Sequence, residues 1–207
     1  QNEFKHFFPL GGQSKKTTVY NNENGVYSIY LSDRYGFNNP DSEWDASQID
    51  WLLIGDSFTH GSAVQPGEDI AGQMRLMTDE SVINLGIGGN GPLVELATFK
   101  EYATSLRPKK VLWIFYEGND LENIKVEKSW PILMNYLQDN FSQNLINNQS
   151  KIDKAIAYFL KEIKTRKNTE KNRWTRLSKV RKILFSSNNE LNIDPIFKEI
   201  LTIAKTK

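Results

Sequence analysis

The segment "DWLLIGDSFTHG" (residues 50–61) decides the fold, because within it an apolar run passes directly into a polar loop. The apolar half ends at Gly55 and is typical of a strand buried on both faces of a parallel sheet. The polar half contains Asp56, Ser57 and His60. Ser57 therefore has two interpretations, a nucleophile at the end of a buried strand or a cap of the following helix.

Strand and helix patterns alternate after this segment. The runs "SVINLGI" (81–87) and "VLWIFY" (111–116) predict a second and a third strand, and helices are predicted over 68–79 and 92–106. The residues expected to face the core are Ile70, Met74 and Met77 in the first helix and Leu96, Phe99, Ala103 and Leu106 in the second. This alternation predicts a three-layer α/β/α domain with a parallel sheet.

The residues on either side of this α/β core, which we take as 49–124, differ in character. Residues 1–48 are rich in turns, and an alternating stretch at 25–37 predicts a short strand or hairpin in an arm that packs on the core. Residues 125–207 predict a mainly helical extension of the same domain. Its helices are expected at 150–164, capped by Ser150 and Asp153 and burying Ile152, Ile156, Phe159, Leu160 and Ile163, then at 176–185, and finally from Asp194 nearly to Lys207.

Composition excludes several classes of function. A net charge of +1 over 207 residues gives no general attraction to nucleic acid or to a membrane surface, and the basic stretch at 164–176 is interpreted as a solvated loop. The chain has no cysteine and only two histidines, so we expect neither a metal site nor a disulfide. No apolar run has the length of a membrane helix.

The compartment is left open by the sequence. Because the chain starts at Gln1 rather than at a methionine, we expect a processed or excised piece from which a targeting or anchoring segment has been removed. We expect a bacterial extracytoplasmic or membrane-associated protein, and a cytoplasmic protein is the alternative.

Each of the three predicted strands ends in a polar or glycine-rich loop. The loops are "GDSFTHG" (55–61), "GIGGNG" (86–91) and "YEGND" (116–120). Ligands of an open parallel sheet bind outside the carboxyl ends of its strands, so these loops are expected to meet at one site. The N–H of Ser57, a glycine N–H and the Asn119 amide would together supply the donors of an oxyanion hole.

The three loops, in this order, resemble the SGNH hydrolase family, whose members are also called GDSL-like esterases and lipases. The first matches the nucleophile turn with Phe58 in place of leucine, the second the glycine block, and the third the GxND turn with Glu117 in place of a small residue. The resemblance covers roughly residues 31–124. It implies a flavodoxin-like fold that continues beyond the three strands found here.

The resemblance also implies roles for individual residues. Ser57 would be the nucleophile, and its own N–H, the N–H of Gly89 and the Asn119 amide would hold the oxyanion, with Gly88 as the second choice of glycine. Asp56 and Asp120 would support the loops. The implied activity is that of an esterase or acyltransferase that forms an acyl-enzyme and needs no cofactor. The substrate would be a small-molecule or carbohydrate acyl ester, because "SDRYGFNNP" (32–40) resembles a bacterial subset associated with acyl groups of cell-surface carbohydrates.

The fourth block of the family, a DxxH pair that supplies the base, is absent. No histidine follows Asp120, so we expect either that the base lies beyond Lys207 or that the site is degenerate. His60 is the nearest substitute base, since it follows Ser57 by three residues and would lie on the same side of a helical turn. The alternative places His60 at the rim of the site.

Two other functions stay open at this stage. Gly86, Gly88 and Gly91 satisfy the spacing of a dinucleotide-binding fingerprint between a strand and a helix, and Glu117 ends the next strand. The chain could also be an inactive SGNH-like module for carbohydrate binding or assembly. Two tryptophans that look exposed in the sequence, Trp44 and Trp130, favour that alternative.

Overall fold

The computed structural model describes residues 6–20, 25–166 and 193–206. The strands are β1 (Thr17–Val19), β2 (Ile29–Leu31), β3 (Trp51–Gly55), β4 (Val82–Asn84) and β5 (Lys110–Ile114). The helices are α1 (Ser57–His60), α2 (Ile70–Thr78), α3 (Pro92–Leu106), α4 (Asp120–Glu127), α5 (Pro131–Met134), α6 (Gln149–Arg166) and α7 (Ile193–Thr206). The predicted helix at 176–185 and most of the basic stretch at 164–176 lie outside the described residues.

The central sheet has three parallel strands in the order β4-β3-β5, which confirms a mixed α/β fold built on a parallel sheet. Leu52 of β3 lies opposite Ile83 of β4 and Val111 of β5. Successive side chains of a strand point to opposite faces, so Leu52 joins the main core with α3 while Leu53 packs on the other face. Helices therefore cover both faces of the sheet.

Helix α3 spans the residues predicted for it, with Pro92 in its first turn. Leu96, Phe99 and Ala103 are buried as expected. The buried face of α2 is predicted correctly at Met74, which packs on the core, and wrongly at Ile70 and Met77, which are 39% and 74% exposed.

The stripe of α2 that faces the sheet contains Ala71 and Arg75 beside the predicted Met74. A prediction from hydrophobic residues alone misses Arg75, because it is a charged residue on the buried side. Its guanidinium donates to the Val82 carbonyl of β4 at 2.9 Å.

The outer edge of β4 is closed by side chains rather than by another strand. Glu43 accepts from the Val82 N–H at 3.2 Å, and Arg75 donates to the Val82 carbonyl. Asn39 accepts from the Asn84 N–H at 2.8 Å and donates to the Asn84 carbonyl at 2.9 Å. Every outward-facing backbone group of this short strand thus has a partner, as burial requires.

The arm before β3 is fixed by a fully buried carboxylate, Asp33. It accepts from the backbone N–H groups of Tyr35 and Phe37 and from the side chains of Asn39 and Trp44, all at 2.8–2.9 Å. Burial raises the pKa of Asp33, and these donors oppose the rise. Phe8, Leu10 and Phe37 of the arm belong to the same core as β3.

A two-stranded antiparallel hairpin, β1-β2, lies within the arm. The alternating stretch at 25–37 contains β2, as the pattern predicts. Its partner β1 lies outside that stretch and was not expected, because Thr17–Val19 is too short to show alternation.

The part of the extension that the structure describes contains helices and no strand. Ile152, Ile156 and Phe159 of α6 are buried as predicted, whereas the side chain of Ile163 is outside the described part. The expected cap is wrong, because α6 begins at Gln149 and so contains Ser150, and Asp153 accepts from the backbone N–H of Ser14 in the arm at 2.9 Å. Helix α7 begins one residue before the predicted Asp194 and packs on α3.

We predict that Asn39→Ala lowers the free energy of unfolding by about 2–4 kcal/mol, because it leaves the buried N–H and C=O of Asn84 without partners. Urea denaturation measures the change. Asn140 is exposed, and Asn140→Ala is the matched control, expected to change stability by about 0.5 kcal/mol or less. Equal stability of the two variants would contradict the proposed closure of the β4 edge.

Candidate active site

Ser57 lies in the turn directly after the central strand. The residue at the start of this turn, Gly55, has to be a glycine. A Cβ at Gly55 would lie 2.1 Å from Thr59 Oγ1 and 2.7 Å from the Ile114 carbonyl oxygen. Helix α1 is a single turn that ends at Gly61 with a left-handed φ of 73°. The helix dipole at Ser57 is therefore much weaker than a full helix would provide, and the partly exposed Ser57 depends on its neighbours for electrostatic support.

The buried Asp56 connects the first and third loops. One carboxylate oxygen accepts from the Phe58 N–H at 2.9 Å and so caps α1. The other lies 3.3 Å from Ser57 Oγ and 3.5 Å from Asn119 Nδ2. Asp56 thus both caps its own turn and aligns the serine with the asparagine, which is the supporting position expected for it.

The second loop turns tightly beside Ser57. The Asn90 N–H donates to the Ile87 carbonyl at 3.1 Å, and Gly89 has a φ of 85°, as the third position of a type II turn requires. A Cβ at Gly88 would lie 3.5 Å from Ser57 Cβ, so Gly88 is the glycine that lies against the serine. Among the described residues, neither glycine N–H has an acceptor.

The third loop is held by Asp120, which is fully buried. Its Oδ2 accepts from the Tyr116 N–H at 2.6 Å, which closes the loop that presents Asn119. Asn119 Oδ1 is buried without a partner in the described residues, and the amide nitrogen faces Asp56. The three loops therefore bring Ser57, Gly88 and Asn119 together at the carboxyl edge of the sheet.

A cleft of about 400 Å³ opens beside Ser57, between the loops that follow β3 and β5. Its lining includes Ser57 and Asn119 together with the apolar side chains of Phe58, Val64, Ile70 and Tyr116. The rings of Phe58 and Tyr116 are 4.8 Å apart. The order β4-β3-β5 reverses direction at β3, so the cleft lies at a topological switch point, where open α/β sheets bind ligands.

Asn84, which the sequence prediction missed, fixes the spacing of the first two loops. Its fully buried side chain donates to the Thr59 carbonyl at 2.7 Å and accepts from the Gly86 N–H at 2.8 Å. The one available signal was a polar residue within the apolar run "VINL" (82–85).

His60 does not contact Ser57 through a hydrogen bond. The ring is fully buried, with Nε2 2.9 Å from Tyr30 Oη and its centroid 4.4 Å from that of Tyr20. His60 therefore lies neither in the predicted contact with Ser57 nor at the rim given as the alternative, because the turn directs it under the hairpin. Burial lowers the pKa of His60 to about 4, and the ring is neutral at neutral pH.

The structure disfavours the dinucleotide alternative. A pyrophosphate would bind the backbone N–H groups at the start of α3. Those of Gly91 and Leu93 already donate to the Glu127 carboxylate, at 2.6 and 3.0 Å. A Cβ at Gly91 would meet Asn123 at 2.5 Å, so this glycine serves packing against α4.

The two tryptophans that looked exposed are packing residues. Trp130 is 4% exposed and lies 5.4 Å from the ring of Phe8. Trp44 is half-buried against Tyr35 and donates to Asp33. Neither supplies a free aromatic surface for a sugar.

A pair of buried carboxyl groups, Glu95 and Asp120, lies beneath the third loop. Burial, and next the charge of Asp120, hold the pKa of Glu95 well above its usual range, although Trp113 donates to it at 2.6 Å. Burial raises the pKa of Asp120 to about 6, against the Tyr116 hydrogen bond that lowers it.

Comparisons of the chain with protein-family models, with curated proteins and with solved structures find no match. Within residues 6–20, 25–166 and 193–206, no helix has both the length and the apolar character needed to cross a membrane. The same residues contain no group of three or more acidic or histidine side chains arranged to hold a metal ion.

We predict that Asp120→Asn removes a pH dependence of stability between about pH 4 and 6. In this range the folded protein keeps the Asp120 proton, with its pKa of about 6, while the unfolded chain releases it near 3.9, so wild-type stability falls as pH rises. The free energy of unfolding of the wild type minus that of Asp120→Asn should fall by roughly 2–3 kcal/mol from pH 4 to pH 7. Urea titrations at several pH values measure this difference.

The control is Asp139→Asn, a change at an exposed aspartate, which should keep the wild-type pH profile. A constant offset between Asp120→Asn and the wild type at every pH would show that Asp120 does not titrate in this range.

Proposed function

We propose that this chain is a serine ester hydrolase or acyltransferase of the SGNH type, with Ser57 as its nucleophile. The observation that supports it is the convergence of Ser57, Gly88 and Asn119 beside one cleft at the carboxyl edge of the sheet. The strand order β4-β3-β5 is also that of the first three strands of a flavodoxin-like, three-layer sheet. The proposed substrate is a small-molecule or carbohydrate acyl ester.

Ser57 Oγ attacks the ester carbonyl carbon, a new O–C bond forms, and the carbonyl oxygen becomes an oxyanion. The N–H groups of Ser57 and of the 88–89 turn, together with Asn119 Nδ2, donate to this oxyanion. The bond to the alcohol oxygen then breaks, and the alcohol leaves with a proton. Water or a second alcohol attacks the acyl-enzyme and restores Ser57.

The proton of Ser57 needs an acceptor other than a histidine of the described residues, because none is hydrogen-bonded to Ser57 Oγ. Asp56 is the one described partner of that oxygen. Because Asp56 also accepts from the Phe58 N–H and so caps α1, we assign it a supporting role rather than that of the base. We propose that the proton of Ser57 passes to solvent or to an added buffer base. The same observation favours a second candidate function, an inactive module on the same scaffold.

We predict that Ser57 of the full chain reacts with an aryl fluorophosphonate at a rate that rises with imidazole concentration. Imidazole supplies the missing base, and general-base catalysis contributes about 100- to 10,000-fold in natural enzymes. Intact-protein mass spectrometry follows the adduct over time, and peptide mapping locates it.

Ser62 lines the same cleft and is the matched control. Ser57→Ala should abolish the adduct, and Ser62→Ala should form it at the wild-type rate. A modified Ser62, or no adduct at high imidazole, would refute the nucleophile assignment and leave the inactive module as the better proposal.

We predict that Asn119→Ala lowers kcat for p-nitrophenyl acetate by about 100-fold, with a small change in KM, because the lost donor acts on charge that forms in the transition state. Initial rates with fixed imidazole measure the change, with Asn140→Ala as the exposed control. A rise in KM with unchanged kcat would assign Asn119 to ground-state binding instead.

A further inference from the structure

Tyr20, at the end of the hairpin strand β1, reaches the glycine turn beside Ser57. Its hydroxyl occupies the direction that a side chain of Gly88 would take, since a Cβ there would lie 2.0 Å from Tyr20 Oη. The same Cβ would lie 3.5 Å from Ser57 Cβ. The Tyr20 hydroxyl therefore lies above Gly88, next to the serine.

A buried histidine holds the Tyr20 ring in this place. The rings of Tyr20 and His60 are 4.4 Å apart between centroids, and His60 Nε2 is 2.9 Å from Tyr30 Oη on β2. The Tyr20 N–H donates to the Ser28 carbonyl at 2.8 Å, which fixes its backbone to the opposite strand. Two strands of the hairpin thus converge on His60 and direct one phenol towards Ser57.

The two sides of Ser57 have different chemical character. On the β5 side lies the cleft with the apolar side chains of Phe58, Ile70 and Tyr116, which suits the acyl part of an ester. On the β4 side lies the Tyr20 hydroxyl above Gly88. An ester whose acyl part occupied the cleft would have its alcohol part on the other side of Ser57, where the Tyr20 hydroxyl lies.

We propose that the Tyr20 hydroxyl contacts the alcohol oxygen of the substrate and donates a hydrogen bond to it as the ester bond breaks. This inference rests on the proposed function. Tyr20 keeps its own proton, and the departing alkoxide receives its proton from the protonated base or from water. A hydrogen bond of this kind strengthens as negative charge develops on the alcohol oxygen, so its effect grows with the basicity of the leaving group.

The test compares Tyr20→Phe with the wild-type chain on aryl acetates whose phenols range from acidic to weakly acidic, all at one imidazole concentration. Phenylalanine keeps the ring in contact with His60 and removes the hydroxyl alone. We expect kcat/KM to fall by roughly tenfold for phenyl acetate and by about twofold or less for p-nitrophenyl acetate. A plot of log kcat/KM against the pKa of the phenol is therefore steeper for the variant.

Tyr27→Phe is the matched control, because Tyr27 lies in the same hairpin, shortly before β2, and is 54% exposed. Gly88→Ala supplies an independent arm, since its methyl group would displace the Tyr20 hydroxyl. In the wild-type background, Gly88→Ala should make the plot of log kcat/KM against the pKa of the phenol steeper. In a Tyr20→Ala background, the same substitution should not change the slope.

The outcomes separate the two proposals. If the rate depends on Ser57 but the slope is the same in Tyr20→Phe and wild type, the role of Tyr20 is overturned and the proposed function stands. An equal loss of rate on all esters counts as the same slope. A rate that Ser57→Ala leaves unchanged, or the absence of any protein-dependent rate, overturns the proposed function and this inference with it. A steeper slope confined to the Tyr20 and Gly88 variants supports both.

Discussion

The site depends on one buried amide, that of Asn84. Its backbone N–H and C=O pair with Asn39, and its side chain pairs with the Thr59 carbonyl and the Gly86 N–H. A polar group in a low-dielectric interior costs free energy unless it is paired, so each of these bonds is needed. One residue therefore closes the β4 edge and fixes the distance between the nucleophile turn and the glycine turn. That fixed distance keeps Gly88 against Ser57.

The two edges of the sheet differ in how their outward groups are covered. At β4, side chains of the arm and of α2 take up the outward backbone groups. At β5, apolar side chains such as Val111 and Phe115 are 42% and 40% exposed. The arm thus covers the β4 side, and the cleft lies on the other side of β3, next to the loop after β5, where it is lined by Phe58, Tyr116 and Asn119. The alcohol and acyl sides proposed for the substrate follow from this asymmetry.

The α/β fold and the three loops could be predicted because their signals are local. An apolar run that ends at Gly55, and a Pro92 that begins a helix, need no knowledge of distant partners. Arg75 and Asn84 could not be predicted, since each is polar and acquires its role only when another segment, the arm or the first loop, is folded against it. Tyr20 was missed for the same reason, because its hydroxyl meets Gly88 from a hairpin that is distant in sequence.

His60 shows why sequence proximity is a poor guide to a catalytic base. Three residues after Ser57, it has the spacing for a contact on a helical turn, yet the ring points under the hairpin to Tyr30. A general base must become charged as it takes the proton. With the pKa of His60 lowered to about 4 from 6.5, charging this ring costs roughly 3 kcal/mol more than in water. The same burial that makes His60 a poor base makes it a rigid neutral support for Tyr20. His60 therefore positions Tyr20 in this site, and the proton of Ser57 has to pass to another acceptor.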